Sequence, residues 1–138
     1  MESLELIRSL LSVFFPEEIT LHFEIKEVTE KSGYIQIRFE ELPELVPAEM
    51  DPAQEIVLDG FCNPLELQSF PLKGKAVYLQ LYRRRWKYKG SVSHFSNTYD
   101  FNPEGVKATK EFASFLKENV GLTPDQYFDF VQSVSGRT

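Results

Sequence analysis

Side chains that could do acid–base, nucleophilic or metal chemistry are few and scattered in this sequence. His22 and His94 are its two histidines, and neither stands at a spacing typical of metal ligands or of a catalytic pair. Cys62 is the single cysteine, and no basic cluster or helix N-terminus near it favours the thiolate, so we predict a buried, inert thiol. The glycines form no phosphate-binding loop, although a carboxylate triad is left open by the sequence. We therefore predict no catalytic residue, no metal site and no cofactor. On this reading the protein is not an enzyme.

One segment, residues 73–90 (the basic segment), concentrates chemistry of another kind. It holds seven basic and no acidic residues, whereas residues 1–72 hold 15 acidic and four basic ones. Arginine binds phosphate oxygens bidentately, and Trp86 or Tyr82 could stack on a base. The predicted nucleic-acid-binding residues are Lys73, Lys75, Arg83, Arg84, Arg85, Trp86, Lys87 and Lys89. The alternative is that the acidic part of the same fold neutralises this charge.

The periodicity of apolar residues predicts the elements that position this segment. Apolar residues at helical spacing predict a helix over Ser3–Phe15, which Pro16 ends. Alternation predicts a hairpin of strands at 20–25 and 35–39 around a turn at 30–33, and His22 falls on its polar, solvent-facing side. Three prolines predict a surface loop over 41–52.

Further strands are predicted at 55–61 and 65–72, and the longest at 75–87 within the basic segment. The helix signals after it are Asn102-Pro103, Thr109 as a second possible N-cap, Gly121 as a C-terminal stop, and a capping box from Thr123 to Gln126. These signals predict two helices joined by a short turn.

Together these elements predict an α+β fold with a central antiparallel sheet of four to five strands, an N-terminal helix and a C-terminal two-helix hairpin. We expect a single domain over residues 1–138, in which 1–90 form the helix and sheet and 100–135 the helical hairpin. The chain has neither a signal-peptide pattern nor a run of about 20 apolar residues, so no membrane association and a cytoplasmic location are expected.

Two sequence motifs carry a resemblance to a known family. FPLKGKAVYLQLYRRRW at residues 70–86 and ATKEFASFLKE at 108–118 resemble the N-terminal region of a family of bacterial insertion-sequence transposases, over about residues 1–120. In that family this region is often a separate reading frame ahead of the acidic-triad catalytic core. The resemblance implies a DNA-end recognition or accessory module, with DNA and a separately encoded transposase catalytic subunit as partners. The DNA-binding role that the resemblance implies applies to Lys73, Lys75, Arg83, Arg84, Arg85 and Trp86.

The resemblance has one gap, and other functions stay open. Related transposases begin with paired zinc-binding cysteines, which this chain lacks, so a metal role does not transfer. The helix predicted after Thr123 presents Asp125 and Asp129, which phosphates would repel, so DNA contact is expected at the basic strand. The alternatives are a protein-interaction module, or an inactive mobile-element remnant, that docks a separately encoded partner, and a domain whose arginines hold a small carboxylate or phosphate ligand.

Overall fold

The computed structural model describes residues 3–102 and 106–120, which form two sheets flanked by short helices. The helices are α1 (Ser3–Phe14), α2 (Glu17–His22) and α3 (Lys110–Phe115), which a π-helical turn (Leu116–Val120) extends. The strands are β1 (Phe23–Glu30), β2 (Tyr34–Glu41), β3 (Ile56–Phe61), β4 (Leu65–Leu72), β5 (Lys75–Tyr82) and β6 (Arg84–Tyr88). This mixture of helices and sheets confirms the predicted α+β class.

The larger sheet has four strands in the order β1-β2-β5-β4, and it is mixed. β1–β2 and β4–β5 are antiparallel hairpins, but β2 and β5 run parallel. The prediction of an antiparallel central sheet is therefore wrong at its centre, because alternation reports which face of a strand is buried and not its direction. The β4–β5 turn contains Lys73 and Gly74 with φ of 56° and 71°. Positive φ at both central residues is the requirement of a type I′ hairpin turn, which glycine meets without strain.

One face of this sheet carries the main core. Ile35, Ile37 and Phe39 on β2 lie beside Val77, Leu79 and Leu81 on β5, and all six are buried. Phe15, Ile19, Phe23 and Phe101 pack against them from the helical side. The core therefore lies between the sheet and the chain around α2, and Phe39 near the end of β2 is packed within it.

The start of the first predicted strand is wrong. Residues 20–22 belong to α2, and β1 begins at Phe23. Pro16 precedes this helix, Glu17 and Glu18 occupy its first turn, and Ile19 is buried, so a short helix satisfies the local apolar pattern as well as a strand would. His22 is therefore not on the polar face of a strand: it is half-buried, and its Nδ1 lies 2.6 Å from the carbonyl oxygen of Glu18.

The longest predicted strand is also divided. It ends at Tyr82 and resumes as β6, which leaves the main sheet to pair antiparallel with β3 in a two-stranded ribbon. Phe95 adds a bridge to Trp86 on the other side of β6. The basic segment therefore runs from one sheet into the other.

The predicted N-terminal helix and the surface loop are confirmed in outline. α1 ends one residue before the predicted boundary. Residues 42–55 contain no helix or strand, although Pro47 and Met50 within them are buried.

Thr109 is the N-cap of α3, as its sequence position indicates, and its hydroxyl accepts from the backbone N–H of Phe112 at 3.2 Å. The second helix of the predicted C-terminal hairpin lies outside the described residues. None of the helices within residues 3–102 and 106–120 has the length and apolar character that crossing a membrane requires.

Candidate functional site

The fold separates the basic segment into two groups of cations. Lys73 and Lys75 lie at the β4–β5 turn, whereas Arg84 to Lys89 lie on or next to β6. β5 connects the two groups, and its eight residues span about 25 Å. The predicted site residues therefore do not form one continuous patch.

The cations at the β4–β5 turn are held by a carboxylate of the same fold. Lys73 Nζ and Lys75 Nζ lie 2.9 and 2.8 Å from the same oxygen, Oε2 of Glu30. Hydrogen bonds from Lys75 and then Lys73, with their charges, lower the pKa of Glu30 to about 2. The single charge of Glu30 balances one of the two lysines, so the neutralised alternative holds in part for this pair.

The three consecutive arginines are each anchored on a backbone carbonyl of a different segment. Arg83 Nη1 donates to Asn97 O at 2.9 Å, Arg84 Nε to Glu41 O at 2.7 Å, and Arg85 Nε to Asp59 O at 2.9 Å. All three side chains are half-buried. The triplet thereby ties β2, β3 and the loop around Asn97 to the point where the chain changes sheets, and its guanidinium groups are held in fixed orientations.

A buried carboxylate, Glu41, organises this junction. Its side chain is fully buried, and its Oε1 accepts from the backbone N–H of Arg84 at 2.9 Å. Its Oε2 accepts from Asn97 Nδ2 at 3.0 Å and from the hydroxyl of Tyr99. Burial and this hydrogen bond raise the pKa of Tyr99 well above its usual value. Because a buried carboxylate is tolerated only when its oxygens are satisfied, these three donors are what allow Glu41 to stay in the interior.

Two arginine side chains, Arg38 on β2 and Arg84 on β6, lie over aromatic rings. The guanidinium of Arg38 lies 3.8 Å above the ring centroid of Tyr82, and that of Arg84 lies 5.2 Å from the centroid of Phe61. The rings of Phe61 and Tyr82 meet edge to face at 6.1 Å. Among the described residues, the two Nη groups of Arg84 have no hydrogen-bond partner, so they are available to an anion.

Trp86 does not offer the stacking surface that its position in the sequence predicts. Its side chain is 8% exposed, between Leu58 on β3 and the bridging residue Phe95. Tyr82 is partly buried, and Arg38 already covers one face of its ring. Stacking on a base is therefore a weaker expectation than contact with phosphate.

The ribbon formed by β3 and β6 collects the remaining cations. Arg85 and Lys87 stand at alternate positions of β6 and share a face, and Lys89 follows in the turn just after the strand. Lys89 is 71% exposed and lies 3.7 Å from Glu55. Exposed pairs of this kind contribute little, about 0–1 kcal/mol, so a phosphate can replace the carboxylate.

Asp59 lies among these cations. His94 Nε2 contacts its Oδ2, and Arg85 Nη2 lies 3.6 Å from the same oxygen. The hydrogen bond from His94, followed by the charges of Lys87 and Arg85, holds the pKa of Asp59 below its usual value. The carboxylate balances part of the ribbon's charge and orients Arg85 and His94.

Residues that could do covalent or metal chemistry are not brought together. Cys62 is half-buried, not buried as predicted, and its backbone N–H bonds to Arg83 O. Within residues 3–102 and 106–120, no three histidine, cysteine, aspartate or glutamate side chains stand close enough to hold a metal ion.

Glu41, Asn97 and Tyr99 are not among the residues that the sequence predicted for the site. A signal for Glu41 was present, because position 41 continues the inward-facing series of Ile35, Ile37 and Phe39. A glutamate at an inward position predicts a buried, hydrogen-bonded carboxylate. For Asn97 and Tyr99 no such signal exists, since they lie in a loop about 56 residues further along the chain.

Comparison with known proteins adds no identification: no protein-family model, curated protein or solved structure matches this chain.

Proposed function

We propose that this protein is a non-catalytic accessory domain of a transposition system, and that it binds duplex DNA through the β3–β6 ribbon. The observation that carries the proposal is the row of Arg85 and Lys87 on a two-stranded ribbon outside the main sheet, continued by Lys89 directly after β6. A two-stranded ribbon fits the major groove of B-DNA, and cations along it can contact phosphates on both sides.

The arginine anchors add support. Because Nε or Nη1 of each arginine already bonds to a carbonyl, its guanidinium is oriented before any ligand arrives. Less side-chain freedom is then lost on binding. The transposase part of the proposal rests on the two sequence motifs, and a cytoplasmic location and a separately encoded catalytic subunit as partner belong to the same proposal.

Two charge-matched double variants test the ribbon. Lys87→Ala/Lys89→Ala removes two cations from the ribbon, and Lys73→Ala/Lys75→Ala removes two from the opposite end of β5. Binding of a fluorescein-labelled duplex is measured by anisotropy across a salt series. With about four phosphate contacts, the slope of log K against log salt is near −3.6, and the ribbon variant reduces its magnitude by about 1.8. The turn variant leaves the slope unchanged.

Two results would overturn the proposal. One is the absence of binding by the wild type at low salt. The other is an equal reduction of the salt slope in both variants, which would mean that only the net charge of the protein matters for binding. Thermal unfolding of both variants serves as the control that each is folded.

A second function, docking of a partner protein, is favoured by one specific observation. α1 has no buried residue, and Leu4, Leu6, Ile7, Leu10, Val13 and Phe14 on it are 46–78% exposed. Contiguous exposed apolar surface on a protein of this size marks interaction sites more often than chance.

A further inference from the structure

A groove lies between α1, α2 and the edge strand β1, beside apolar residues of α1. Its volume is about 780 Å³. Its apolar lining consists of Leu4, Ile7, Leu11, Leu21, Phe23, Ile25, Phe39 and Leu42. Phe23 and Phe39 are core residues, whereas Leu4, Ile7 and Leu21 are 54–60% exposed. The groove is thus an apolar channel whose floor belongs to the core and whose walls are open.

The apolar surface continues beyond the groove. Leu6, Leu10 and Val13, also on α1, are 60%, 57% and 78% exposed. A small molecule filling the groove would leave these side chains in water. A helix laid along the groove would instead contact the apolar face of α1 formed by Leu4, Ile7 and Leu11.

The charges around the groove select the chemistry of that ligand. Glu17, Glu24 and Glu44 line it, against one cation, Arg8. Glu24 is partly balanced by Lys26 at 2.9 Å. An acidic border disfavours nucleic acid and other anions and favours a partner with flanking lysines or arginines.

We propose that this groove binds a basic amphipathic helix of a partner protein, with apolar side chains at i, i+3, i+4 and i+7 in the channel and basic side chains against the glutamates. The inference deepens the docking function named above and does not depend on DNA binding. The chain's own residues 121–138 carry two aspartates and one arginine, so their charge is not the complement that the groove calls for.

The probe for this proposal is a fluorescein-labelled peptide of leucine and lysine, about 18 residues or five helical turns, with leucines at that spacing. Its control keeps the leucines and replaces every lysine by glutamate. Anisotropy in about 150 mM salt, where the Debye length is about 8 Å, is expected to show binding of the lysine peptide only.

Substitutions on exposed side chains locate the binding. Leu21→Lys and Leu4→Lys each place a cation in the groove. Each is expected to raise the Kd at least about tenfold, because one apolar anchor is lost and a charge that repels the basic peptide is added. Val92→Lys makes the same change at a side chain that is 90% exposed and absent from the groove, and the Kd is expected to change less than about twofold.

Three outcomes would overturn the proposal. The glutamate peptide could bind equally well, the groove variants could bind like the wild type, or no peptide could bind. Sedimentation velocity distinguishes a further occupant: a wild-type dimer that Leu21→Lys dissociates would assign the groove to a second copy of this chain and remove the case for a basic partner.

Discussion

At the scale of single residues, Glu41 has the largest structural consequence. Its carboxylate is buried at the end of β2, yet three donors from β6 and the loop around Asn97 satisfy it. Arg84 contributes twice, since its Nε also donates to the Glu41 carbonyl. The basic strand is therefore held by an acid of the same fold before it meets any ligand.

Replacing Glu41 by alanine is expected to lower the free energy of unfolding by about 3–5 kcal/mol, because the removal leaves Arg84 N–H, Asn97 Nδ2 and Tyr99 hydroxyl groups short of an acceptor in the interior. Urea denaturation followed by circular dichroism measures this loss. Glu40→Ala, one residue earlier, removes a carboxylate whose ion pair within the described residues is with Arg38, and its expected cost is at most about 1 kcal/mol. Equal effects of the two substitutions would contradict a special role of Glu41.

At the scale of elements, the crossing from β5 to β6 decides what the basic segment can do. β5 is buried on both faces, and its side chains Val77, Tyr78 and Leu79 are at most 1% exposed. Only the part of the segment beyond Tyr82 leaves the main sheet. The division of one predicted strand into two is therefore what places Lys87 on a ribbon outside the main sheet, with the exposed Lys89 next to it.

The cap of α3 gives a prediction at this scale. Thr109→Ala is expected to lower the free energy of unfolding by about 1–2 kcal/mol and to speed hydrogen exchange at the Phe112 amide, because the fully buried Thr109 hydroxyl accepts from that N–H. Thr109→Ser keeps the oxygen and is expected to retain the protection of that amide. Rapid exchange in the serine variant would show that the methyl group, not the cap, holds the helix.

At the scale of the whole molecule, charge and apolar surface are separated between regions. The groove beside α1 is bordered by glutamates, whereas the ribbon and the turn after it carry Arg85, Lys87 and Lys89. A DNA ligand and a basic protein ligand would therefore bind different regions without competing for the same charges. The two proposed experiments can fail independently for the same reason.

The raised pKa of Tyr99 makes the stability of the whole molecule sensitive to alkaline pH. A phenol with a pKa raised in the folded state contributes stability that is complete below its unfolded pKa, about 10, and is lost as the pH rises above that value. In urea denaturation at each pH, the advantage of the wild type over Tyr99→Phe is therefore expected to begin to fall above about pH 10, by about 1 kcal/mol up to pH 11, and to keep falling as the pH rises toward the folded-state pKa. A constant difference between the two proteins across that range would contradict the burial of the neutral phenol against Glu41.

The sequence determined the local features of this protein. The α+β class, α1, the strands at 56–61 and 65–72 and the cap at Thr109 follow from periodicity, proline positions and side-chain hydrogen bonding within a few residues. The sequence also determined directly that the cations are concentrated in residues 73–90. The single domain over 1–138 and the second C-terminal helix stay predictions.

Only the tertiary structure decided how these pieces meet. The parallel pairing of β2 with β5, the exit of the chain from the sheet at Arg83 and the burial of Trp86 all depend on contacts between residues far apart in sequence. Glu41 meets Tyr99 across 58 residues, and no local pattern encodes that contact. Strand direction and partner choice are set by which packing buries the most apolar surface with every polar group satisfied, and that is a property of the whole chain.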